Sequence, residues 1–166
     1  MAPSGSIGFA NYVDMPHTPR YPFGFGLSYT DFWYGDLTVS AKSVKPDEEL
    51  LIACDITNTG NFIGTEIVQL YLRDAHASMV RPVKELAGFA RVSLNPGETK
   101  TVSFRVHPSQ VAFLDRENRW KIEKGEIGIQ IGASSEDIRL ESAFTVTENK
   151  YLNSPDRRSW ATAEVG

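Results

Sequence analysis

Between residues 36 and 146, apolar and polar positions alternate in short runs separated by turn residues, which is the period of strands rather than of helices. In "ELLIACDITN" the side chains of Leu50, Ile52, Cys54 and Ile56 fall on one sheet face, and those of Leu51, Ala53, Asp55 and Thr57 on the other. "TKTVSFRVH" repeats the pattern, with Val102, Phe104 and Val106 inward and Thr101, Ser103 and Arg105 outward. "EIGIQIGAS" supplies Ile127, Ile129 and Ile131, and "IRLESAFTV" predicts a closing inward row through Ile138, Leu140, Ser142, Phe144 and Val146. "TEIVQLYLRD" is different. Val68, Leu70 and Leu72 share one face, but Ile67, Gln69 and Tyr71 make the other partly apolar, so this strand is expected to be covered on both sides.

The interruptions are equally legible. "NPGE" at 95–98 predicts a type II turn, because Pro96 presets φ at its second position and Gly97 supplies the positive φ required at its third. "AHASMVRPVKE" loses the alternation, and Pro82 has no N–H for a ladder, so a loop or edge crossing is expected. "PSQVAFLD" suits one helical turn begun by Pro108. "DLTVSAKSV", "LAGFARVSL" and "RWKIE" complete about seven strands over 35–147. The fold class is therefore all-β, an immunoglobulin-like or fibronectin type III-like antiparallel β-sandwich with irregular N- and C-terminal extensions. Residues 1–34 are expected to lie before it, and 148–166 to form a tail without periodicity in which Trp160 docks locally.

Charge and composition narrow the partners. The 166 residues carry a formal charge of −4 and offer no basic stripe, which argues against nucleic acid and against a membrane surface. The single cysteine, Cys54, has no internal partner and reads as a small buried hydrophobe. The first twenty residues lack the basic start and apolar run of a signal peptide, and no Asn-x-Ser/Thr acceptor occurs, so localisation stays open.

The chemistry-bearing residues are scattered. Paired carboxylates for sugar hydrolysis would have to come from Asp47, Glu48 and Glu49, from Asp115 and Glu117, or from Glu136 and Asp137, and all of these fall at predicted turns. His17, His76 and His107 are far apart and lack metal-ligand spacing, so neither a metal nor a cofactor is expected. The nucleophile elbow and the dinucleotide fingerprint are both missing. Trp33, Tyr34 and Trp120 are the aromatics that could stack on a sugar ring, with core or interface packing as their plainer role.

Before the strands stands "YPFGFGLSYT", which suits neither strand nor helix. Together with "NTGNFIGTEIVQLYL", "RPVKELAGFARVSLNPGETKTVSFRV", "AFLD" and "RWKIEKGEIGIQIGASSEDIRL", in this order, it resembles the C-terminal fibronectin type III-like domain of family-3 glycoside hydrolases, the β-glucosidase and β-xylosidase group. The resemblance covers about Tyr21 to Val146. It implies a parent enzyme whose barrel domain carries an aspartate nucleophile and whose α/β domain carries an acid/base glutamate. Neither segment is in this chain, so no catalytic residue is carried over. "SIGFANYVDMPHTPR" is similar to the end of the preceding domain, and "PFGFGLSYT" to the interdomain junction.

On that footing, Gly24 and Gly26 allow unusual φ and close backbone approach, while Tyr21, Phe23, Phe25 and Tyr29 supply apolar area for an interdomain contact. Phe23, Phe25 and Tyr29 are expected to be packed within this chain. Arg81, Lys84 and Glu85 are expected to add a polar part to the same docking surface. The leading function is a non-catalytic accessory module that docks or stabilises the catalytic domains of a glycoside hydrolase, in the same chain or in trans, or that mediates homo-oligomer contacts. The alternative is a carbohydrate- or polymer-binding module acting through surface aromatics, and an enzyme in its own right is a third class.

Overall fold

A computed structural model describes residues 19–74 and 76–166. Its long strands are β1 (Phe32–Val39), β3 (Leu50–Asn58), β4 (Gly64–Asp74), β5 (Glu85–Leu94), β6 (Thr99–Val106), β9 (Gly125–Gly132) and β10 (Ile138–Val146). Shorter ones are β2 (Ser43–Val44), β7 (Phe113–Leu114), β8 (Trp120–Ile122), β11 (Lys150–Leu152) and β12 (Thr162–Val165). One sheet has the order β1-β3-β6-β12, the facing sheet β2-β10-β9-β4-β5, and a small flap β11-β8-β7. All pairings are antiparallel except β2 on β10. The architecture is the immunoglobulin- or fibronectin type III-like sandwich that the strand pattern predicts.

The alternating rows meet between the two sheets. Leu50, Ile52, Cys54, Ile56, Val102, Phe104 and Val106 come from the first sheet, and Val68, Leu70, Leu72, Ile127, Ile129, Ile131, Phe144 and Val146 from the second; all are buried. Each such aliphatic or aromatic side chain contributes about 1.5–3 kcal/mol. The outer face of β4 is covered at Gln69 and Tyr71, both buried, but not at Ile67, which is exposed. The 95–98 turn has Gly97 at φ 74° and Glu98 N–H donating to the Asn95 carbonyl at 3.0 Å, as type II geometry requires.

Three boundaries differ from the sequence pattern. β1 begins at Phe32 rather than at 35, because Phe32, Trp33 and Tyr34 continue the ladder opposite Asn58, Thr57 and Ile56. The inward row of β10 is fully buried only at Phe144 and Val146: Leu140 packs half-buried against the core, Ser142 is exposed, and a register shift between Ile138 and Leu140 sets Ile138 opposite Gly132, out of phase with the row. Residues 148–166 are not a tail lying off the sandwich. β11 pairs with β8, and β12 covers the edge of β6 through Thr162↔Arg105 to Val165↔Val102. Four residues are too few to display a period, but the open edge of β6 supplies the backbone partners. Trp160 meets Phe89 edge-on at 6.0 Å between ring centroids.

Candidate functional site

The strap 20–31 crosses the outside of the second sheet and is held at both ends by polar atoms. At one end Ser135 N–H donates to the Phe23 carbonyl at 2.9 Å. Beside it, buried Gln69 donates through Nε2 to the carbonyls of Gly24 (3.0 Å) and Ala133 (2.6 Å), while its Oε1 accepts from the Tyr71 hydroxyl at 2.6 Å. Gly24 sits at φ +79°, and a Cβ there would lie 2.0 Å from Gln69 Oε1, so both backbone and space require glycine. At the other end, Thr30 Oγ1 donates at 2.6 Å to Oδ1 of Asn58, which is fully buried. Asn58 Oδ1 also accepts from Gly60 N–H, and Nδ2 donates to the carbonyls of Phe62 and Leu94 at 2.7 and 3.0 Å. Thr59 N–H closes the anchor on the Asp31 carbonyl.

Anchoring through backbone and polar atoms leaves the apolar side chains free. Phe23 and Tyr29 are not packed within the chain, contrary to expectation, and Phe25 meets only the Tyr21 ring at 5.1 Å: Tyr29 is 97% exposed, its neighbour Leu27 91%, and Tyr21, Phe23 and Phe25 are all exposed. Pattern alone could not decide this, because the side-chain direction follows from which strap atoms the sheet binds. With Ile67, Leu86 and Phe89 the strap walls a groove of about 650 Å³. Phe62 and Ile63, in the loop joined to Asn58, are exposed as well. These exposed side chains gather on the strap, its groove and the adjoining 62–63 loop rather than standing singly over the surface.

The floor of the groove carries charge. Glu66 accepts from the buried Tyr34 hydroxyl at 2.9 Å. Burial pushes its carboxyl above the ordinary range, only partly offset by that hydroxyl and by Arg139, and burial with the Glu66 charge raises the Tyr34 phenol in turn. Arg139 itself is held by Asp137 at 2.5 and 2.9 Å.

The polar trio of 81–85 is built inward rather than outward. Arg81, its side chain only 8% exposed, pairs with Asp74 at 3.0 Å and Glu85 at 3.2 Å and stacks on Phe113. Lys84 donates to the Ser135 carbonyl and lies over the Tyr71 ring, so it braces the turn that grips Phe23. Neither Arg81 nor Lys84 is a free docking group, which corrects their expected role: Arg81 is held by Asp74 and Glu85 close by in sequence, and Lys84 by Ser135 far from it.

The aromatic trio does not converge either. Tyr34 is 7% exposed and cannot stack on a sugar, and Trp120 is half-buried beneath the Arg157 guanidinium at 4.5 Å. Trp33 alone presents a ring to solvent, on β1.

Most of the candidate carboxylates are engaged in turn caps and ion pairs. Asp115 accepts from Glu117 N–H and Arg119 N–H and pairs with the Arg119 side chain, Glu48 accepts from Lys45 N–H, and Asp47 and Glu49 pair with Lys150 and Arg158. His107 caps the 3-10 turn Pro108–Val111 by accepting from Ser109 N–H at 3.1 Å, and burial, with Arg158 nearby, lowers its pKa. His76 is exposed, and His17 and the stretch up to residue 18 lie outside the described residues. Among the described residues no group of three or more His, Cys, Asp or Glu could hold a metal ion. Cys54 is buried in the core, and desolvation pushes its thiol up to about 12. Gln69 and Asn58, the two anchors, were not singled out from sequence; a polar residue at an otherwise inward or covered position of a strand was their only signal.

Comparison with known proteins places this geometry. Residues 66–135 match the fibronectin type III-like domain family. The chain is 42% identical over 141 residues to thermostable β-glucosidase B of Acetivibrio thermocellus, covering 84% of this chain and 19% of that one. It is 42% identical over 135 residues to a β-xylosidase of Formosa agariphila, covering 81% and 19%. Among solved structures, β-glucosidase 3B of Thermotoga neapolitana in complex with α-D-glucose superposes with a TM-score of 0.75 at 36% identity, over 81% of this chain and 18% of that one. The chain thus spans about a fifth of the length of the relatives it matches.

Proposed function

The chain carries the fibronectin type III-like domain of family-3 glycoside hydrolases, and from that premise we propose that it serves as a non-catalytic module that docks onto and stabilises the catalytic domains of a β-glucosidase-type enzyme. The observation that carries the proposal is the strap: anchored at Gly24 and Thr30, it directs Leu27 and Tyr29 outward with almost their whole surface in water. Because the strap is already pinned on both sides of this segment, ordering it costs less entropy than ordering a free chain, so burying its exposed aromatic and aliphatic side chains against a partner is favourable. The relatives are some five times longer than the matched region, and their remaining length is the source of that partner. The candidate carboxylates support the non-catalytic half, since turn capping and ion pairs already engage Asp47, Glu48, Glu49, Asp115 and Asp137.

The test deletes the matching segment from the Acetivibrio enzyme and supplies this chain in trans. The expected result is a higher melting temperature for the truncated enzyme with the wild-type chain, lost with Leu27→Asp/Tyr29→Asp. Equal stabilisation by both chains, or none by either, would refute docking through the strap. Contaminant-free turnover of an aryl β-glucoside by this chain alone would refute the non-catalytic half.

A further inference from the structure

The outer face of the β1-β3-β6 sheet lies away from the strap groove and carries a differently built feature. Trp33 is 49% exposed, and its six-membered ring covers Gly35: a Cβ on Gly35 would stand 1.8 Å from Cη2 and 2.3 and 2.4 Å from the flanking Cζ2 and Cζ3. A point that meets one ring carbon at close range and both its neighbours only slightly farther lies above the ring plane, not beyond its edge. The indole therefore rests face-down on the glycine backbone, and its other face is turned to solvent. Because any side chain at position 35 would evict it, the ring is seated in one orientation before any ligand arrives.

Polar groups stand beside the ring at matching levels of the sheet. Trp33 pairs across to Thr57, and Thr57 to Thr99; Gly35 pairs to Asp55, and Asp55 to Thr101. The Thr57 and Thr99 hydroxyls share a hydrogen bond at 2.7 Å, and Thr101 donates to Asp55 Oδ1 at 2.6 Å. Each pair keeps spare capacity, a hydroxyl hydrogen in the first and the second carboxylate oxygen in the other. Among the described residues of these three strands, Leu51 is the only other large apolar side chain exposed on this face. That is too little for the apolar core of a protein interface, but one ring-sized patch bordered by hydroxyls and a carboxylate suits a neutral polyol with a flat C–H face.

We propose that this face binds a β-linked pyranoside chain, with Trp33 stacking on one sugar ring and Asp55, Thr57, Thr99 and Thr101 hydrogen-bonding its equatorial hydroxyls. Only the choice of sugar rests on the assignment to a β-glucosidase-type enzyme. The platform and the strap occupy different faces, so docking can fail while sugar binding holds, and the reverse. The experiment titrates the full-length 15N-labelled chain with cellotetraose and with xylotetraose up to about 10 mM, the range of single-ring affinities.

Saturable shifts of the Trp33 indole and of the amides of 55, 57, 99 and 101 are expected with at least one sugar. Binding should weaken by at least about tenfold in Trp33→Ala. Gly35→Ala keeps the indole but displaces it, and should weaken binding comparably. Preserved amide dispersion in both variants guards against misfolding as the cause. Absence of shifts with both sugars, or wild-type binding by either variant, would overturn the proposal.

Discussion

Replacing Gly24 with alanine tests whether the strap is held by one glycine-dependent contact. Two costs add. A non-glycine residue at φ +79° pays about 1–2 kcal/mol for the left-handed conformation. The new Cβ would also lie 2.0 Å from Gln69 Oε1, forcing apart a buried amide that holds the Gly24 and Ala133 carbonyls and the Tyr71 hydroxyl. Losing partners there costs a further roughly 1–3 kcal/mol, because the amide remains buried. If the loss is global, about 3 kcal/mol lowers a urea midpoint by about 1.5 M at an m-value near 2 kcal/mol/M. If the strap detaches instead, the midpoint holds while limited proteolysis cuts within 20–31. Gly26, two residues on, is the control: a Cβ there meets nothing within 4 Å, and Gly26→Ala should change either readout by less than about 0.5 kcal/mol. An unchanged midpoint together with an uncut strap in Gly24→Ala would refute the anchoring argument, as would equal effects at the two glycines.

Two further outcomes follow from the buried polar groups. Asn58→Ala removes both the acceptor for Thr30 and Gly60 and the donor for the Phe62 and Leu94 carbonyls, so it should cost about 3–5 kcal/mol in urea unfolding and release the strap at its second end; a loss under about 1 kcal/mol would contradict this. Glu66 titrates above its ordinary 4.5 in the folded state, so its stabilising contribution is complete below that value and is lost as pH rises through the folded pKa. Glu66→Gln keeps an acceptor for Tyr34 and removes the charge, so its urea midpoint should exceed wild type at about pH 7 and converge with it near pH 4; a gap independent of pH would sink this.

What the chain determines locally and what it leaves to the fold divide along physical lines. Strand identity was legible because a half-buried sheet imposes period two on side-chain polarity, and the rows of Leu50–Ile56, Val102–Val106 and Ile127–Ile131 obey it. The 95–98 turn was legible because proline and glycine restrict φ by themselves. β12 was not, because a strand of four residues is defined by the edge it completes. Nor were the roles of Lys84, Gln69 and Asn58, whose partners Ser135, Gly24 and Leu94 are distant in sequence and meet only in the assembled fold, or of Arg81, whose partner Asp74 is near in sequence but is reached only through the turn of the β4–β5 connection. Composition marked the strap as aromatic and glycine-rich, but it did not fix the direction of its rings. The strap is instead held through the backbone and hydroxyl atoms that the folded sheet binds, and its Leu27 and Tyr29 side chains stand in water.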